Sequence, residues 1–150
     1  MKALRIGAFT LAALASVGIF ARAANAQQAV VKDAHFTLPF AAFWEDTLLR
    51  PGDYSLSVAR VSNGRDALYR VTFAGDGKKT SILAVRPPGP QVDKESMLVA
   101  VRNGGEFSIR AMHLPKADLV LIFPAPRNEK TLLGRVPELI QNVPIQIATR

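Results

Sequence analysis

The sequence predicts an all-β fold, a single antiparallel β-sandwich of about seven to eight short strands. Three observations predict it. Apolar residues recur at every second position, the period of a half-buried strand. Turn signals return every ~8–12 residues, the spacing of a sandwich or barrel. The aromatic residues fall on the inward positions of those alternations, where core packing is their usual role.

The organising stretch is Phe36-Thr-Leu-Pro-Phe-Ala-Ala-Phe-Trp44 with Leu49-Arg-Pro-Gly-Asp-Tyr-Ser-Leu-Ser-Val58. Phe36, Leu38, Phe40, Ala42 and Trp44 alternate, and so do Tyr54, Leu56 and Val58. Between them Pro51 pre-sets φ, and Gly52 can take the positive φ that a type II turn needs at its third position. Pro39 cannot donate to a ladder, which places this strand at an edge or at a bulge.

Asn63-Gly64 is a strong signal for a two-residue hairpin turn. With those two residues at the tip, Val58 faces Tyr69, Leu56 faces Val71 and Tyr54 faces Phe73, all on one side. Gly75-Asp76-Gly77 marks the next turn. In Thr80 to Arg86, Ile82 and Ala84 compete with Leu83 and Val85 for the inner face. Pro87-Pro88-Gly89-Pro90 stops the strand, and a charged connection runs on to Glu95. A second hairpin is read around Asn103-Gly104-Gly105. A three-residue loop there pairs Arg102 with Glu106, Val101 with Phe107, Val99 with Ile109 and Met97 with Ala111. Leu119 to Phe123 is apolar throughout and reads as a fully buried strand. A short helix fits Thr131 to Asn142, with Pro137 in its first turn. Ile145 to Thr149 alternates as a last strand.

An outer-membrane barrel is the rival architecture. Its strands need about 9–11 residues, with aromatic girdles at both interfaces. Most strands here are shorter, and the prolines interrupt them.

The first 26 residues read as a secretory signal peptide. Lys2 and Arg5 form its basic start, Ile6 to Phe20 its apolar run, and Ala24-Asn25-Ala26 its cleavage site. Residues 27–35 are then a polar lead-in, and 36–150 form one domain. The expected location is periplasmic or extracellular, with membrane contact only during export. Without Lys2, Arg5 and Arg22 the chain has 16 basic and 12 acidic residues, net +4 against +7 overall. That modest charge, together with export, argues against a nucleic-acid partner. There is no cysteine, so disulfides, thiolate metal sites and thiol catalysis are excluded.

The stretches Phe36-Thr-Leu-Pro-Phe, Trp44, Leu49-Arg-Pro-Gly-Asp-Tyr and Arg102-Asn-Gly-Gly-Glu-Phe-x-Ile-Arg, with Leu114-Pro, resemble a group of small exported bacterial proteins of unknown function. The resemblance covers Phe36 to Phe123. The Pro51-Gly52-Asp53-Tyr54 turn is similar to the Pro-Ala-Gly-x-Tyr turn of carboxypeptidase-regulatory and prealbumin-like β-sandwich modules. There the tyrosine opens a strand and packs into the core. This chain departs in having Arg50 before the proline and no alanine before the glycine. Neither resemblance brings catalytic residues.

No metal site or cofactor is expected. His35 and His113 read as boundary histidines; a metal site would need both to converge with an acid such as Asp33. Glu45-Asp46 and Asp93-Lys94-Glu95 read as solvated charges, though either could supply half of a hydrolase acid pair. The expected function is a non-catalytic binding module, with a small exported hydrolase as the alternative. Candidate binding residues are Arg70, Arg102 and Arg110, expected as a basic stripe on one outer face, and Trp44 at a strand end. A protein or an anionic polysaccharide is the expected partner.

Overall fold

The protein is described by a computed structural model that covers residues 28–62, 67–90, 93–127 and 139–148. These residues form an all-β fold of eleven strands: β1 (Gln28–Leu38), β2 (Ala42–Trp44), β3 (Thr47–Leu49), β4 (Gly52–Arg60), β5 (Leu68–Gly75), β6 (Lys78–Val85), β7 (Met97–Asn103), β8 (Glu106–Leu114), β9 (Leu119–Ile122), β10 (Leu139–Pro144) and β11 (Gln146–Ile147). The only helical piece among them is a 3₁₀ turn, Pro115–Ala117.

Hydrogen bonding joins the strands in the order β10-β7-β8-β9-β6-β5-β4-β1-β11, with β2–β3 attached to β8. The sandwich therefore departs from expectation in having no clean break between two sheets. Two antiparallel halves are still recognisable, β6-β5-β4-β1 and β9-β8-β7-β10. Only Val85 opposite Ile122 joins β6 to β9. The C-terminal segment lies along β7 through residues 139–144, then along β1 through Gln146 and Ile147. It thus touches both halves. The short β2 runs parallel to β8, the one parallel pairing among the described residues.

The residues expected as a lead-in are already strand, since β1 starts at Gln28 and pairs with β4. Pro39 ends β1, as a residue without an N–H must, and the chain bends before β2. β2 and β3 form a tight hairpin with Glu45 and Asp46 at its tip. Leu139 to Asn142 is strand, so the expected helix over Thr131 to Asn142 is corrected at that end; residues 131–138 lie outside the described residues.

Both hairpin registers differ from expectation, for different reasons. In β4–β5 the observed pairs are Leu56 with Phe73, Val58 with Val71 and Arg60 with Tyr69. That is a slip of two residues from a turn at Asn63-Gly64. A two-residue slip keeps every side chain on its face. Burial could not expose the error, and the turn signal decided it wrongly. Asn63 and Gly64 themselves lie outside the described residues.

In β7–β8 the slip is one residue. Asn103 pairs with Glu106 and Arg102 with Phe107. The loop is then only Gly104-Gly105, with φ of +63° and +89°. Two positive φ values match the tight turn whose twist suits a hairpin. Leu98 and Ala100 are buried, and Met97, Val99 and Val101 are not. The sequence is apolar on both faces here, so alternation alone could not choose. A bulge between Val99 and Ala100 absorbs Arg110 as the extra residue of β8.

The Arg50-Pro51-Gly52-Asp53 corner also differs in detail. Gly52 has φ +154°, far from the roughly +80° of a type II turn, and is already paired with Leu38. The Tyr54 hydroxyl closes the corner by donating to the Arg50 carbonyl at 2.8 Å. Its ring stacks on Phe36 at 5.2 Å. It also lies directly over Gly75, where a Cβ would meet the ring and come within 2.9 Å of the Asp53 carbonyl.

One apolar core results. Trp44 is fully buried, stacked on Phe73 at 4.7 Å and edge-on to Phe123 and Phe36 at 5.0 and 6.0 Å. Phe40 and Phe107 stack at 4.1 Å beside it, partly buried. The aromatics fill the interior instead of forming girdles.

Two substitutions check this corner. Tyr54→Phe should cost about 1 kcal/mol in urea unfolding, the net value of one hydrogen bond. Gly75→Ala should cost more, because the added methyl meets both the ring and backbone. Equal midpoints for Gly75→Ala and the parent would refute the packing described here.

Candidate binding face

The outer surface of the strands has two characters. Over β1, β4 and the end of β5 it is polar. Thr37 donates to Asp53 Oδ1 at 2.5 Å, Ser55 donates to the Ala74 carbonyl at 3.3 Å, and the Thr72 and Ser81 hydroxyls bond at 2.8 Å. A groove of about 570 Å³ runs here beside His35, Asp53 and Gln146. Of its polar side chains, Thr37 and Asp53 bond each other and Ser55 bonds the Ala74 carbonyl.

Toward the seam between the halves the surface becomes apolar. Leu68 faces Val85, Val85 faces Ile122, Ile122 faces Ala111, and Ala111 faces Val99. This row crosses five strands, about 19 Å at the usual strand spacing. Val85 and Ile122 are 49% and 45% exposed, and Leu83 beside them is 50% exposed. Exposed apolar residues one at a time are ordinary, whereas a contiguous set is not. Sequence reasoning missed the row. The ambiguity of β6 resolves with Ile82 and Ala84 inside, leaving Leu83 and Val85 outside. Leu119 to Phe123, expected to be wholly buried, buries Leu119, Leu121 and Phe123 but presents Ile122 outward. The doubled apolar face of both strands was the available signal.

The three arginines do not form one stripe. Arg70 is on the outer face of β5, opposite Leu83, and flanks the apolar row. Arg110 occupies the β8 bulge and is separated from β5 by both β9 and β6. Arg102 follows the corrected register onto the core side of β7. Its guanidinium lies 6.0 Å from the Phe107 ring centre, and its Nε is buried. Trp44 does end a strand, β2, on the inward side expected of the aromatics; it is at the centre of the core, so a surface ligand cannot reach it. Its indole N–H has no hydrogen-bond partner among the described residues.

Apart from one histidine–aspartate contact, the titratable groups that a hydrolase would combine stand on separate elements. His35 stands on β1 opposite Ser55 and Gln146. His113 stands on β8, with Nδ1 hydrogen-bonded to Asp93 in the proline-rich connection. That pair fastens the β6–β7 loop across β8. Asp46 binds Arg127 at 3.2 Å in the β2–β3 turn. Among the described residues no three histidine or acidic side chains group as metal ligands. No helix among them is long and apolar enough to cross a membrane.

Glu45, at the tip of β2–β3, is held at φ +51°. Burial and the adjacent Asp46 carboxylate push its carboxyl above the usual carboxylate range, against the opposing pull of Arg127. A raised carboxyl favours folding while protonated and loses that contribution as pH rises through its folded pKa. Glu45→Gln should therefore match the parent in acid and exceed it in thermal midpoint at neutral pH. Glu45→Gly should add the relief of the left-handed backbone, about 1 kcal/mol. A lower midpoint for both at neutral pH would contradict this geometry.

Comparisons with protein-family models, with curated proteins and with solved structures find no match for this chain.

Proposed function

We propose that this chain is an exported, non-catalytic binding module whose partner docks on the apolar row between β5 and β7. The observation that supports it is the register itself, which lines up Leu68, Val85, Ile122, Ala111 and Val99 across five strands. Contiguous apolar surface bordered by polar groups is characteristic of interaction sites. Arg70 on β5 and Arg110 on β8 both lie along one edge of the row, which favours a protein partner carrying an apolar ridge with acidic side chains along one flank. An anionic polysaccharide would use the arginines and leave the apolar row unused. Export rests on the basic start, apolar run and Ala24-Asn25-Ala26 of the leader. His113 contacts Asp93, but His35 and Glu45 stand on other elements and no third histidine or acid joins that pair among the described residues, which argues against the hydrolase alternative.

The test is a photoreactive phenylalanine analogue placed singly at Val85, Ile122 and, as a control, Ser57, in exporting cells. Adducts of one defined mass should form from positions 85 and 122 and not from 57. Absence of any adduct from both row positions would overturn the proposal. A carbohydrate partner gives a different pattern. Retention on an anionic polysaccharide matrix would then fall in Arg70→Gln/Arg110→Gln and persist in Val85→Asn/Ile122→Asn.

A further inference from the structure

Apart from the apolar row, β1 breaks register with β4 twice. Ala29 faces Ala59 and Val31 faces Val58, leaving Val30 extra; Ala34 next faces Leu56, leaving one more extra residue at Lys32-Asp33. Bulges re-aim side chains and often border binding sites. The bulged stretch here forms one wall of a cavity of about 350 Å³. Ile147 and Ala148 form the second wall, held by the Ala148 N–H donating to the Asp33 carbonyl at 3.0 Å. Lys116 and Ala117 of the 3₁₀ turn form the third.

The lining is of two kinds. Val30, Ala117 and Ile147 are partly buried and pack against the main core, so the floor is apolar. Lys32 and Lys116 are exposed and come from different elements. Neither has an ion-pair partner among the described residues, whereas Asp33, the one acid of the lining, already interacts elsewhere in the chain. The volume is at the lower end of the roughly 300–1,000 Å³ of small-molecule pockets. Two cations at the rim of an apolar floor suit a ligand with one anionic head and a short apolar tail. Each bulge has a role in this arrangement. The first leaves Val30 at the floor, and the second sets Lys32 beside the mouth.

We propose that this cavity is a binding site for small anionic amphiphiles of the medium-chain carboxylate class. The site is independent of the docking face, so either can fail without the other. The test uses methyl-labelled protein purified from the expressing host, titrated with octanoate, octanol and inorganic phosphate. Octanoate should give saturable shifts at Val30, Ala117 and Ile147, with octanol at least tenfold weaker. Lys32→Gln/Lys116→Gln should weaken octanoate at least tenfold and leave octanol unchanged. Ala117→Trp, which fills the floor, should abolish octanoate binding; its thermal midpoint and the unperturbed shifts of Ile82 and Ile109 establish that it is folded. Phosphate binding as tightly as octanoate would reduce the site to a simple anion patch and overturn the proposal. So would octanoate shifts that ignore the lysine changes, or no saturable shift at all.

Discussion

Trp44 is the constraint on which the rest of the structure depends. It belongs by hydrogen bonding to the β8 half, through the β2 pairing of Ala42 and Phe43 with Phe107 and Ser108. By packing it belongs equally to the other half, lying flat on Phe73 of β5 and edge-on to Phe36 of β1. The seam between β6 and β9 has a single described residue pair. Backbone hydrogen bonding therefore contributes little to keeping the halves together there, and side-chain burial across the interior must do most of it. An aromatic side chain carries a large apolar area for that purpose. The indole N–H has no hydrogen-bond partner among the described residues, and a buried donor left unsatisfied costs on the order of 1–3 kcal/mol.

The weak seam has a sequence cause. Phe123 directs its N–H to the Arg110 carbonyl of β8. By strand alternation, the next N–H groups facing β6 would come from residues 124 and 126. Both are proline and have none. The β6–β9 ladder cannot continue past Ile122, and the outer face at this point is left with Leu83, Val85 and Ile122 side by side. The same two prolines that end β9 thus shape the surface proposed for docking.

The fold class was legible because alternation, turn spacing and aromatic placement all pointed the same way. The faces of β4 and β5 were legible too, since Tyr54, Leu56, Val58, Tyr69, Val71 and Phe73 all lie inside. Register was less accessible. Burial constrains a slip of one residue and is blind to a slip of two, which is the β4–β5 case. Where both faces are apolar, as in β7, even a slip of one escapes notice. The site suffered most from this. Arg102 changes face with the β7–β8 register, and the row on β6 and β9 exists only once those strands are placed side by side. The signal in Leu83, Val85 and Ile122 was present but looked like core. Trp44 was legible as an inward aromatic at a strand end; its neighbours Glu45 and Asp46 made it a binding candidate, whereas the tight β2–β3 turn leaves the indole inside. The β1 cavity could not be foreseen, because bulges follow from pairing and leave no local mark on sequence.

The central claim is that one side chain couples two halves that share few hydrogen bonds. Amide hydrogen exchange on Trp44→Phe, read separately in β4–β5 and in β7–β8, tests it most directly. The account predicts that protection falls in both hairpins by the same factor, because both rest on the ring that was trimmed. Loss confined to β7–β8, with wild-type protection retained in β4–β5, would contradict it.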